Sequence, residues 1–77
     1  MDETEIRALL SGGLGECEIQ MQIDGARLGV LIVADAFEGL SRVKRQQLVY
    51  GLLNEKIASG EIHAVSMRCV TPGERSV

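Results

Sequence analysis

The sequence predicts an α+β sandwich: a mixed three-stranded sheet with helices on one face, connected helix–strand–strand–helix–strand (αββαβ). Three observations predict it. Residues 16–23 alternate polar and apolar with period two. Asp24-Gly25, a strong tight-turn signal, separates this run from a second apolar run. A helical stretch then lies between the second run and a third, long enough to let those two strands pair in parallel. At 77 residues the chain reads as a single domain over residues 1–77.

The elements follow in order. Asp2 can cap a first helix, with Glu5 as reciprocal partner three residues on. Ile6, Leu9 and Leu10 recur at helical spacing, and Gly12-Gly13 is expected to end the helix. In the first strand Cys17, Ile19, Met21 and Ile23 form a dry face, and Glu16, Glu18, Gln20 and Gln22 a wet one. The run from Leu28 to Ala34 is apolar on both faces, which places it centrally in the sheet. The chain breaks at residues 35–39, and Ser41 caps a second helix expected over residues 42–59. That helix sets Val49, Leu52, Leu53 and Ile57 on one stripe, and Gly60 stops it. Gly51 inside it costs about 1 kcal/mol against alanine, which a close helix–sheet approach would explain. The last strand spans residues 62–70, with His63, Val65, Met67 and Cys69 facing inward and Ala64, Ser66 and Arg68 facing out. Thr71-Pro72-Gly73 ends it, and the tail from Glu74 is too short to need structure.

Composition narrows function. One Tyr, one Phe and no Trp leave an aliphatic core. The sequence has no run of ~18 apolar residues for a membrane span and no signal-peptide pattern, so a cytoplasmic location is expected. Two cysteines are too few for a disulfide scaffold or a zinc module, and Cys17 and Cys69 read as small core hydrophobes. An enzyme with an enclosed cleft is not expected at this size. The formal charge of −3 divides unevenly: residues 1–38 carry eight acids and two bases, residues 39–77 three acids and six bases. That asymmetry suggests a local surface for a partner.

Two places can carry chemistry. His63 is the only histidine, so any imidazole ligation must use it; the alternative is a half-buried strand-end residue with one hydrogen bond. Arg42, Lys44 and Arg45 crowd the first turn of the second helix, where the helix dipole disfavours cations. Free backbone N–H groups and three cations there form a candidate site for a phosphate, a carboxylate or an acidic partner. The alternative is a solvated basic turn. Gly12-Gly13-Leu14-Gly15 spells the GxxG of KH domains but reads as a loop.

The segment from Phe37-Glu38-Gly39-Leu40-Ser41-Arg42-Val43 through Val49-Tyr50 resembles the first signature of the BolA-like family. Ile62-His63-Ala64-Val65-Ser66-Met67, followed by Thr71-Pro72, resembles its second, and Lys44-Arg45-Gln46-Gln47 is similar to the IbaG branch. The resemblance covers nearly the whole chain. It implies an αββαβ fold of class II KH-like topology and a binding module rather than an enzyme. It further implies a partnership with a monothiol glutaredoxin and a shared [2Fe-2S] cluster, in iron–sulfur homeostasis and stress response. His63 is then the expected ligand, with a glutaredoxin cysteine and a glutathione thiol supplying others; alone the chain would be a monomer or weak homodimer. Imidazole in place of thiolate raises a cluster's potential. Many family members also carry a Cys or His between the first two strands, where this chain has Asp24-Gly25-Ala26-Arg27. Arg27 stays protonated and cannot ligate. The alternative implied function is a nucleic-acid-binding transcriptional regulator using the KH-like fold and Arg42, Lys44 and Arg45. The acidic total and the scarcity of base-stacking aromatics speak against it.

Overall fold

The Asp24–Gly25 turn sets the architecture. In the structure, a computed structural model describing residues 1–75, strand β1 (Cys17–Asp24) folds back on β2 (Arg27–Ala34) through a two-residue loop. Gly25 there has φ 59°, and no non-glycine residue among the described residues has positive φ. Positive φ at the first loop position alone is the pattern of a type II′ hairpin, whose twist suits the strands it joins. Strand β3 (Ala64–Val70) pairs parallel with β2, so the apolar β2 is central, as its composition predicts.

Helix α1 (Glu3–Leu14) precedes the sheet; Asp2 caps it by accepting the Thr4 N–H at 2.9 Å. A 3-10 turn (Asp35–Phe37) leads into α2 (Arg42–Leu52), which Ser41 caps, accepting the Lys44 N–H at 3.3 Å. Helix α3 (Asn54–Ala58) follows, and α4 (Pro72–Arg75) closes the described chain. The core joins Ile6, Leu10 and Leu14 of α1 to Ile19, Leu28, Val30 and Ile32 of the sheet, and to Phe37, Val49, Leu53 and Ile62. Each such aliphatic side chain contributes about 1.5–3 kcal/mol on burial.

Several expectations are corrected. Gly12-Gly13 does not end α1: the helix continues to Leu14, and Gly15, with φ 75°, caps it by donating its N–H to the Ser11 carbonyl. Burial of Leu14 offsets the two glycines, and the Leu52 side chain fills the space a Cβ on Gly13 would take. The GxxG segment is thus a helix end rather than a loop. The second helix is not continuous over residues 42–59. It breaks at Leu53, a fully buried residue with φ −100° and ψ 4°, two residues after helix-weakening Gly51. The expected close approach at Gly51 is absent, since nothing lies within 4 Å of a Cβ there. His63 does not face inward. It precedes β3 and is exposed, and Ile62 takes the buried place. The backbone explains this: the N–H groups of His63 and Ala64 both donate to the Ala26 carbonyl, at 2.8 and 3.4 Å, which interrupts the two-residue alternation.

The segment from Glu74 is not a bare tail. Thr71-Pro72-Gly73-Glu74 forms a capping box: Glu74 accepts the Thr71 N–H at 2.9 Å, and the Thr71 hydroxyl accepts the Glu74 N–H at 3.3 Å. Residues 76–77 of that tail lie outside the described residues. Helix α4 contacts β2 and β3, and Arg75 pairs with Glu18, which alternates with inward-facing Ile19. This end of the polar sheet face is therefore covered, and Val33 is buried beneath it. Elsewhere Gln20, Gln22, Ser66 and Arg68 keep that face wet, as predicted.

Candidate functional site

His63 stands at the hairpin end of the sheet. The hydrogen bond from its own N–H to the Ala26 carbonyl fixes its backbone against the β1–β2 turn. Gly60, with φ 83°, turns the chain after α3, and a Cβ there would lie 3.8 Å from the imidazole Nε2. The ring is exposed and makes no hydrogen bond or ion pair with another described residue. Its nitrogens are therefore open to an external ligand. The neighbouring turn offers only the Asp24 carboxylate and backbone oxygens. Among the described residues no group of three or more His, Cys, Asp or Glu side chains could hold a metal ion.

The cysteines stand elsewhere. Cys69 is six residues further along β3, roughly 20 Å at ~3.3 Å per residue. Burial raises its thiol pKa, with a smaller opposing effect from Arg45, and the side chain packs against the core. Cys17 packs on the same face of β1 and lies 3.8 Å from the Ser11 hydroxyl.

The three cations of the α2 start are not equivalent. Arg42 and Lys44 are exposed and form no ion pair among the described residues. Arg45 is consumed inside the molecule. Its Nε donates to the Leu40 carbonyl at 2.9 Å, and Nη1 to the Cys69 carbonyl at 3.1 Å. Nη1 and Nη2 grip the Glu74 carboxylate at 2.6 and 3.2 Å, and the guanidinium carbon lies 6.0 Å from the centre of the Phe37 ring. This two-pronged charged pair ties the α2 start to β3 and α4. Hydrogen bonds from Arg45 and from the Thr71 N–H hold the Glu74 carboxyl down at about 2. The spacing in sequence grouped Arg45 with its neighbours. The missed signal was the Thr71-x-x-Glu74 pattern, which places an acid where Arg45 can reach it. Between the α2 start and the free edge of β3 runs a groove of about 800 Å³, lined by Leu40, Arg42, Gln46, Met67, Arg68 and Cys69 with the Arg45–Glu74 pair.

Fold and site together define a small module with one accessible imidazole and a basic groove beside an edge strand. The BolA family profile (BolA-like protein) matches residues 18–74. The chain belongs to the BolA-like family. Acid stress protein IbaG of Escherichia coli (strain K12) is 45% identical to it over 74 residues, covering 96% of this chain and 88% of that protein. Among solved structures, the BolA domain of SufE1 from Arabidopsis thaliana superposes with a TM-score of 0.86 at 32% identity, covering 96% of this chain and 98% of that one. BolA1 from Arabidopsis thaliana gives 0.83 at 35% identity, covering 92% of each chain.

Proposed function

We propose that this chain is a non-enzymatic partner of a monothiol glutaredoxin, with which it binds or transfers a shared [2Fe-2S] cluster. The observation that carries this reading is the exposed His63 imidazole, fixed at its backbone and unused by the fold. The donor set fits a shared cluster and not a resident one. A [2Fe-2S] cluster takes four ligands besides its sulfides, thiolates or a thiolate–imidazole mixture. The hairpin end supplies one nitrogen and no thiolate, so the other three positions fall to donors from outside this end of the chain, the glutaredoxin cysteine and a glutathione thiol among them. His63 would hold one iron of such a cluster through an imidazole nitrogen.

The two free cysteines suit a reducing cytoplasm, where we place the protein. The name of the E. coli relative supports a role in stress response. Exposed Arg42 and Lys44 favour nucleic acid as the alternative partner. The engagement of Arg45 by Glu74 leaves two free cations, Arg42 and Lys44, of the three, which weakens that reading. Titration of a cluster-loaded monothiol glutaredoxin with this protein, followed by visible circular dichroism, tests the proposal. Wild type is expected to give a new spectrum that His63→Ala abolishes. The same spectrum and affinity from both proteins would overturn the assignment.

A further inference from the structure

The sheet ends in two edges, and they are guarded differently. On β1 the Arg7 side chain donates to the outward Ile19 carbonyl at 2.9 Å. On β3, among the described residues, only the Cys69 carbonyl is covered, by Arg45. Along a strand the backbone groups of alternate residues point to opposite sides. Ala64 donates toward the β2 side, to Ala26, and the Cys69 carbonyl turns away toward Arg45. Val65 and Met67 share the direction of Cys69, so their N–H and C=O groups face the open edge. Natural edges are blunted by lysine, proline or a bulge. From Ala64 to Val70 the register is regular with no lysine or proline, and Arg68 is the one charge on the strand.

We propose that this edge takes an extended acidic segment of another protein as a fourth strand, held by main-chain hydrogen bonds to Val65 and Met67 and by Arg42 and Arg68. The proposal stands apart from the His63 reading. Strand addition draws affinity from main-chain bonds and specificity from alternate side chains. The groove beside the edge offers both. Leu40, Met67 and Cys69 line it with apolar surface, and the half-buried Gln46 amide there has no hydrogen-bond partner among the described residues. Glu74 is neutralised by Arg45, so Arg42 and Arg68 leave the groove positive in a chain of net charge −3. The added strand therefore carries acids on the Arg68 face and apolar residues on the Met67 face. Single-stranded nucleic acid fits less well, because base stacking needs exposed aromatics and Phe37 is fully buried.

The test uses the full chain and a fluorescein-labelled peptide of alternating glutamate and valine, read by anisotropy and by amide exchange at Val65 and Met67. Controls are the lysine–valine peptide, the acidic peptide N-methylated at alternate residues, and a single-stranded oligonucleotide. The acidic peptide is expected to bind and to slow exchange at both amides. Arg42→Gln with Arg68→Gln should weaken it about tenfold or more, as expected for loss of two charges at an interface. Lys44→Gln, outside the groove, should leave it unchanged. Equal binding of the lysine or N-methylated peptide would overturn the proposal, as would tighter binding of the oligonucleotide or unchanged exchange at Val65 and Met67. Self-association of the chain that Arg68→Gln abolishes would assign the edge to a second copy instead.

Discussion

At the scale of single residues, Arg45 and Glu74 show how one ion pair can organise a chain terminus. Glu74 is held at about 2, against about 4.5 for an ordinary carboxylate, chiefly by Arg45 and then by the Thr71 N–H. A carboxyl depressed on folding stabilises the fold above its unfolded value, and that contribution disappears as pH falls through its folded one. Stability should therefore decline between about pH 4.5 and pH 2, and Glu74→Gln should flatten that part of the profile. Urea midpoints measured across this range, wild type against variant, check the sign. Gly51 gives a second residue-scale expectation. It is helical with open space beside it, so Gly51→Ala should stabilise by about 0.5–1 kcal/mol, seen as a higher denaturation midpoint. Sequence read the caps Asp2 and Ser41 correctly, because a cap acts on backbone three residues away or fewer, but Glu5, expected to reciprocate at Asp2, pairs with Lys56 instead. It misread Arg45, because what decides its role is an acid 29 positions on. It misjudged Gly13 and Gly51 for the same reason, since only the packed structure tells which glycine meets a neighbour.

At the scale of elements, the strands were more legible than the helices. Period-two alternation fixed the faces of β1, and the double-sided apolar run fixed β2 as central. The break between α2 and α3 left little trace in the sequence. Val49, Leu53 and Ile57 lie at i, i+4 and i+8, a spacing equally suited to one unbroken helix. The break instead reflects tertiary packing. Leu53 fills the core where α2 ends, and α3 is redirected so that Lys56 meets both Glu5 and Glu61. These ion pairs raise the Lys56 pKa, with Glu5 the larger cause. Leu53→Ala should cost about 2–5 kcal/mol, the range for truncating a fully buried leucine. Chemical denaturation measures it. A loss as small as that of an exposed helix residue would mean that the break, and not the burial, positions α3.

At the scale of the whole molecule, the acidic total conceals a local arrangement. The basic residues of the second half divide into those spent on ion pairs, Arg45, Lys56 and Arg75, and those left at the surface, Arg42, Lys44 and Arg68. Two of the latter flank the β3 edge. Family membership was legible because two separated motifs carry it, and the fold agrees with it. The exposure of His63 was not legible, since period two assigns a residue to a face only while the ladder stays regular. The irregular hydrogen bonds at Ala26 turn that side chain outward, and the proposed function depends on it. The most direct test is hyperfine spectroscopy on the reduced cluster complex, with this chain alone carrying nitrogen-15 histidine. The account predicts a nitrogen-15 coupling to iron that His63→Ala removes. A wild-type complex with an intact cluster and no such coupling would contradict it.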